Sequence, residues 1–570
     1  MDRITESLIK ELLTNQELKS QGESKDFEKL VNYTIVSNEY NKTFDIENLT
    51  IGEGNDTGID GLAIIVNGQL IESKDEVDDL IEKNNFLEVD FIFTQSKTSS
   101  KFSGSDINTF FFGVLDFFSN QPKLVRNESV NKYVEITNHI YDNAPKFKSN
   151  PKIKLFYVTT GKWTDDQNLK GIIENGIESV EETNLFDKVS FIPFGARELS
   201  TAYRKTKESV STTINFNNRI TMPEINGISQ AYIGLLPYEE FYKIVSDDEG
   251  SLLSVFEDNV RDFQGENNDV NGGISATLNN EGSEIFSVLN NGVTIVASSI
   301  SPTGNQFTIT DYQIVNGCQT SNVLYNNRNS ENINSVNIPI KLIATTDDDV
   351  KTRITLATNN QTPIKKEQLA SLTQFQRSLE QYYNSFSGDS RIYYERRSKQ
   401  YNSDNNVLKS RIITVPYQIK SFAGMFLNEP HNVTSYFGLI VRRLNEGKMQ
   451  IFNNEHLYSP YYTSAFAYYK LETFFRKGLI DRSYRKVKFH ILMLFRMLNE
   501  KAELPPFNSK KINKYCDDLL SLLNDDEKAV KAFKKCIKII DDSDFDKMDK
   551  QDVKLVSKTK ILIDYLNRNK

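Results

Sequence analysis

A multidomain α/β architecture is predicted by three observations: a length beyond what one core serves, an alternation of helical and strand patterns in the first third, and helical periodicity throughout the last. At 570 residues the chain calls for more than one hydrophobic core. Residues 1–205 predict one α/β domain, 219–404 a mixed α+β domain, and 405–570 a helical region.

Taken in order, the apolar spacing predicts a helix near Asp26 to Ser37 and strands at Leu62 to Val66 and Leu87 to Gln95. Asn67-Gly68 interrupts the apolar run Leu62 to Ile71 and is a strong hairpin signal, so the chain turns back there. An acidic helix is expected around Asp75 to Lys83, followed by an apolar helix from Ile107 to Phe118. Ile153 to Val158 and Val189 to Ile192 read as further strands of the same sheet, with a helix around Asp166 to Glu174 between them. Lys205 to Asn218 is polar and lacks a period, which marks a boundary. Beyond it, Gly292 to Ala297 and Val336 to Ile343 read as strands among Asn-Gly turns. Tyr461, Ala465, Tyr468, Leu471 and Phe475 recur at three and four residues, a helical stripe. The charge run at 545–560 reads as a solvated helix face.

Composition removes several functional classes. Hydrophobic residues make up 38% and charged residues 25%, and no apolar stretch is long enough to span a bilayer, so no membrane partner is expected. The N-terminus carries acids in an amphipathic pattern, which predicts no export signal and a cytoplasmic location. Cys318, Cys516 and Cys536 are too few and too widely spaced for a disulfide framework or a zinc site. With a net charge of −9, any contact with a polyanion has to be local. The chain lacks the Gly-x-x-x-x-Gly-Lys-Ser/Thr loop of an ATP-driven motor, so an ATPase would have to be a separate partner.

Gly58-Ile59-Asp60-Gly61 and, on a later strand, Gln95-Ser96-Lys97 carry the chemistry. Strand alternation puts Gln95 and Lys97 on one face. If that strand pairs near Asp60, its carboxylate, the Gln95 amide oxygen and the Ser96 carbonyl can hold one Mg²⁺ or Mn²⁺, hard ions that prefer oxygen. Such an ion lowers the pKa of a coordinated water and offsets charge on a phosphodiester, while Lys97 orients the nucleophile or stabilises the same charge. Glutamine in place of an acid leaves this set one charge short. Glu28, on the helix before it, is the candidate to supply the charge through water, and Asp56 is a weaker one.

A helix with Glu28, then Asp60-Gly61, then Gln95-Ser96-Lys97 resembles the Mrr-like branch of the PD-(D/E)XK nucleases, whose pattern is Glu, Asp-Gly and Gln-x-Lys. The resemblance implies a restriction-endonuclease-like fold for the first domain and an endonuclease, on DNA first and RNA second. The interval from Asp60 to Gln95 is longer than that branch usually has and contains the acidic helix, which puts the adjacency of the two strands at issue. A second resemblance is more extensive: Asn259-Val260-Arg261, Asn271 to Ile274, Asn290 to Ile295, Gln313 to Thr320, Ala357 to Gln361 and Tyr393 to Arg397 occur in order. Together they resemble the AIPR family, abortive infection phage resistance proteins. That resemblance implies antiviral defence, with a phage-derived trigger or a defence-system partner protein.

The AIPR-like blocks gather Asn, Gln, Thr and Gly at strand ends. Asn291, Asn316, Gln319, Thr320, Asn360 and Gln361 are therefore candidates to bind a nucleotide or a nucleic-acid backbone, against the alternative that such residues only form tight turns. Cys318 reads as a packed thiol, and His139, His431, His456 and His490 lack ligand spacing. Two basic stretches interleave with tyrosine or crowd a helical end: Arg391, Arg396, Arg397, Lys399, Lys409 and Arg411, then Arg476 to Lys488. They are candidates for phosphate contact and base stacking, against a solvated face. A homodimer is expected where both strands of a duplex are cut. The competing class is a non-catalytic nucleic-acid or nucleotide sensor on a degenerate nuclease fold, which Gln95 keeps open.

Overall fold

A computed structural model describes the chain except residues 41, 52–53, 55–56, 165, 208–209, 247–249, 251–252, 254, 257–284, 359–365, 397–399, 402–403, 405, 436–450, 546–552 and 570. The first unit consists of α1 (Arg3–Asn15), α2 (Glu23–Glu39), β1 (Gly61–Val66), β2 (Gln69–Leu70), α3 (Lys74–Asn84), β3 (Val89–Lys97), α4 (Gly104–Phe118), α5 (Glu128–Asp142), β4 (Lys152–Thr159), α6 (Gln167–Glu181), β5 (Lys188–Phe194) and α7 (Ala196–Lys205). Its sheet has the order β2-β1-β3-β4-β5. β1 is antiparallel to both neighbours, whereas β3, β4 and β5 run parallel.

Helices cover both faces, which is why β1 and β3 read as nearly continuous apolar runs. On one face Leu62, Ile64, Phe91, Phe93 and Leu155 pack with Ile107, Phe110 and Val114 of α4 and Val130 of α5. On the other, Ala63, Ile92, Phe156 and Val158 pack with Phe27, Leu30 and Val31 of α2 and Leu199 and Tyr203 of α7. Asn67 (φ 50°) and Gly68 (φ 72°) take the left-handed conformation that the β1–β2 hairpin turn requires. The Asn67 side chain then accepts from the Glu88 amide (2.7 Å) and donates to the Phe86 carbonyl (3.0 Å). That clasp returns the chain to the sheet after α3, so the inserted helix leaves β1 and β3 adjacent.

The second unit contains β6 (Ser211–Asn215), β7 (Asn218–Thr221), β8 (Gln230–Pro237), α8 (Tyr238–Val245), α9 (Phe286–Leu289), β9 (Val293–Thr303), β10 (Gln306–Asn316), α10 (Cys318–Asn326) and β11 (Asn337–Ala344). Its mixed sheet has the order β6-β10-β9-β11-β8-β7, with β9 and β11 parallel. β6 joins this sheet, which places the change of unit inside the polar 205–218 stretch.

Helices dominate the remainder: α11 (Asp348–Thr358), α12 (Lys366–Asn384), the strand pair β12 (Tyr393–Glu395) and β13 (Ile412–Thr414), then α13 (Val415–Phe426), α14 (Pro430–Ser435), α15 (Ser459–Arg476), α16 (Lys488–Asn499), α17 (Lys511–Leu523), α18 (Asp526–Asp542) and α19 (Val556–Asn569). α15 is buried all round from Ser459 to Phe475 and forms the axis of this region. Phe375, Tyr383, Ile392 and Tyr394 belong to its core, so residues grouped by sequence with 219–404 pack with the helices that follow. Among the described residues no helix is long and apolar enough to cross a membrane.

Candidate functional site

Asp60 immediately precedes β1, and register carries it to the carboxyl end of β3: Gly61 lies opposite Thr94, so Asp60 comes level with Gln95. The Asp60 amide donates to the Thr94 carbonyl (2.9 Å). The Asp60 Oδ2 accepts from the Ser96 amide (2.7 Å) and hydroxyl (3.1 Å). In a strand the N–H and C=O of one residue leave on the same side, so the Ser96 carbonyl also faces the Asp60 side. Lys97 follows directly, its Cα about 3.8 Å beyond that of Ser96.

Gly61 has a packing reason. A Cβ there would fall 2.2 Å from Asn32 Oδ1 and 2.5 Å from Thr94 Oγ1. The space belongs to a buried bridge in which Thr94 Oγ1 donates to Asn32 Oδ1 (2.5 Å) and Asn32 Nδ2 donates to the Asp60 carbonyl (3.2 Å). α2 thereby fixes the backbone that aims the Asp60 carboxylate.

Gln95 points to the α4 face, as Phe91 and Phe93 do four and two residues earlier. It is only 2% exposed, and its Oε1 is a buried acceptor with no hydrogen-bond partner. Unpaired buried carbonyl oxygens cost about 1–3 kcal/mol, so such an atom points to a ligand. Tyr157 is paired with Gln95 across β3 and β4, and the Ser103 backbone approaches its buried hydroxyl. Burial, then the Asp106 and Asp60 carboxylates, hold that phenol well above its usual range and keep it a protonated donor.

Glu28 lies on the opposite face of the sheet. Asn32 of α2 meets Thr94, while Glu39 pairs with Lys154 (2.7 Å), which lies opposite Ile92. α2 thus runs antiparallel to β3, and Glu28, one turn or about 6 Å before Asn32, lies toward the carboxyl end of β3. The Glu28 carboxylate is buried and paired with Lys25 (2.7 Å). Asp56 falls outside the described residues.

Among the described residues no group of three or more His, Cys, Asp or Glu side chains is placed to hold a metal. The oxygens that register brings to this end of the sheet are a carboxylate, an amide oxygen with an unmet lone pair and a backbone carbonyl, carrying one formal charge. Such a set fits a hard divalent ion that keeps most of its water, and it does not fit zinc.

The central blocks converge as well. Asn290 to Gly292 precedes β9 and Asn316 to Thr320 joins β10 to α10, and a Cβ on Gly317 would lie 2.8 Å from the Gly292 carbonyl. Asn291 is exposed, Asn316 and Gln319 are half-buried, and Thr320 is buried. Asn360, Gln361 and Arg397 lie outside the described residues, as do the blocks at 259–261 and 271–274.

Much of the charge on the two basic stretches is engaged within the chain. Arg396 pairs with Glu380 (2.5 Å), Arg411 with Glu17 (3.2 Å) and Arg482 with Glu47 (2.8 Å). Arg485 bonds Asp45 and Glu472, and Lys488 also reaches Glu472 (2.7 Å). Several of these pairs join the helical region to the first unit.

Fold and site together define a multidomain mixed α/β protein with an acid, an amide and an ammonium at the end of one sheet. The chain belongs to the AIPR family: the model of that family, described as AIPR protein, matches residues 256–547, about half of the length. Membership points to phage defence by abortive infection. No curated protein and no solved structure matches the chain.

Proposed function

We propose that this protein is a phage-defence nuclease, a divalent-metal-dependent phosphodiesterase whose centre is Asp60, Gln95, Ser96 and Lys97 in a first unit similar to Mrr-like PD-(D/E)XK domains. DNA is the first expected substrate and RNA the second, and the AIPR region senses infection or positions the strand. The observation that carries this reading is the Asp60 carboxylate bonded to the Ser96 amide, between Gln95 with its unpaired oxygen and Lys97.

When bound, Mg²⁺ or Mn²⁺ supplies an activated water and offsets charge on the phosphodiester. Asp60, Gln95 and the Ser96 carbonyl would hold the ion. Asp60 is fixed by the Ser96 N–H and O–H and through the Asn32 bridge, so it needs little reorganisation when the ion arrives. Lys97 places an ammonium where negative charge develops on the phosphate oxygens. Glu28 lies across the sheet at the same end and would act through water.

The single formal charge of the donor set supports a second reading, a sensor that binds nucleic acid without cutting it. Cleavage of plasmid, single-stranded DNA and RNA in Mg²⁺ or Mn²⁺ separates the two. The nuclease reading expects cleavage that falls by about a hundredfold or more in Asp60→Ala and in Lys97→Ala. Folded protein that cuts none of the three substrates leaves the sensor reading.

A further inference from the structure

The loops after β3, β4 and β5 are stitched into one surface beside Lys97. The Thr160 amide donates to the Ser99 carbonyl (3.2 Å), the Thr160 hydroxyl to the Thr98 carbonyl (2.9 Å) and the Ala196 amide to the Gly161 carbonyl (2.8 Å). A Cβ on Gly161 would fall 1.9 Å from the Ser100 carbonyl, so only glycine lets these backbones meet. Lys101 and Lys162, on the loops after β3 and β4, and Arg197, in the first turn of α7, are exposed and have no ion-pair partner among the described residues. This contrasts with the paired cations at Arg396, Arg411, Arg482 and Arg485.

The acids described beside these cations lie at the starts of helices, with Asp166 and Glu198 exposed. Asp166 caps α6 by accepting from the Asn168 and Leu169 amides, and Glu198 accepts from the Gly195 amide. Asp106 sits in the first turn of α4. Half-buried Trp163, the only tryptophan of the chain, meets Phe102 edge-on with ring centroids 4.9 Å apart, and Phe102 rests against Tyr157. A half-buried indole in T-shaped contact with one neighbour keeps a face to offer for stacking, and bases become available to stack when they are unpaired.

We propose that this surface receives a single-stranded nucleic acid, with Lys101, Lys162 and Arg197 on consecutive phosphates and Trp163 stacking an unpaired base. As the substrate class of the Asp60 centre this rests on the nuclease reading, but binding itself requires no cleavage. The carboxyl ends of parallel strands are where ligands of open α/β sheets gather, and Lys97 connects the surface to the centre.

The test titrates the full chain, in EDTA, with oligothymidylate, oligouridylate and a duplex of equal length. Trp163 fluorescence and the anisotropy of labelled strand are the readouts. Either single strand should quench Trp163 and bind at least about tenfold more tightly than the duplex. Lys101→Glu, Lys162→Glu and Arg197→Glu should each weaken binding about tenfold and lower the salt slope by about one. Trp163→Ala should weaken it by about tenfold or more, whereas Lys534→Glu, an exposed change on α18, should leave it unchanged. Absent quenching, equal affinity for duplex, or loop variants that bind like Lys534→Glu overturn the assignment. Binding as described by a chain that never cleaves defeats the nuclease reading alone; cleavage with binding indifferent to the loop variants defeats this surface alone.

Discussion

Gly61→Ala tests whether the Asp-Gly pair exists to admit the Asn32 bridge. The new methyl would lie 2.2 Å from Asn32 Oδ1 and 2.5 Å from Thr94 Oγ1, inside van der Waals contact, and both side chains are 1% exposed with nowhere to retreat. Overpacking of this kind costs about 1–3 kcal/mol. Driving Asn32 away also leaves Thr94 Oγ1 short of its acceptor, at about 1 kcal/mol or more, while the Asp60 carbonyl keeps the Ile51 amide (3.2 Å). We expect a loss of about 3 kcal/mol or more in the first unit. Asn32→Ala alone forfeits the bridge, about 2 kcal/mol, but opens the space. Gly61→Ala placed on Asn32→Ala should therefore cost little more, leaving the double variant about 2 kcal/mol or more short of additivity. Urea unfolding followed by Trp163 fluorescence reads the first unit, because the chain has one tryptophan. Additive losses, or a Gly61→Ala variant as stable as the parent, would refute the bridge as the reason for glycine.

Burial, with the neighbouring His431 charge, pushes the His490 pKa down to about 3, and burial takes His456 to about 4. The unfolded chain titrates both near 6.5, so it binds more protons than the folded one between these values. Stability is complete above about pH 6.5 and falls below it by about 1.4 kcal/mol per pH unit for each histidine. Melting temperatures from pH 7 to 4 should fall accordingly, and a flat profile would contradict this. Burial alone would raise the Glu472 carboxyl, but Arg485 and Lys488 hold it down at about 2. Glu472→Ala leaves Lys488 without its acid and Arg485 with Asp45 as its remaining acid, and should cost about 3 kcal/mol of stability by thermal unfolding; a cost below about 1 kcal/mol would remove the triad from the account. Gln95→Glu adds the missing carboxylate and should tighten Mn²⁺ binding about tenfold or more, about 1.4 kcal/mol, in calorimetry; unchanged affinity would take Gln95 out of the ion's reach.

What the sequence made legible was local. Asn67-Gly68, the alternation through Phe91, Phe93, Gln95 and Lys97, and the stripe from Tyr461 to Phe475 each follow from a short-range rule, and each element stands where it was expected. The adjacency of Asp60 and Gln95 was visible only as an expectation, because α3 lengthens the interval and its return depends on the Asn67 clasp with Phe86 and Glu88. Asn32 and Thr94 carry little signal of their own, because each is a polar residue at the edge of an apolar run whose partner is set by tertiary packing. Their hint was polarity on the buried face of α2, beside Leu30 and Val31. The basic stretches hide their partners for a related reason: composition counts Arg485 and Arg396 as cations but does not reveal Asp45 or Glu380 opposite them. Lys101, Lys162 and Arg197 are solitary in sequence, and their segments are joined only through backbone contacts set by the tertiary fold.

The central claim is that one divalent ion is held by Asp60 and Gln95 with Lys97 beside it. Calorimetric titration of the intact chain with Mn²⁺ tests it most directly, comparing the parent with Asp60→Ala and Lys97→Ala. We predict one saturable site in the parent, its loss in Asp60→Ala, and its retention with equal or higher affinity in Lys97→Ala, where a neighbouring positive charge is gone. Parent-like Mn²⁺ binding by folded Asp60→Ala, or no saturable site in the parent, would contradict the account.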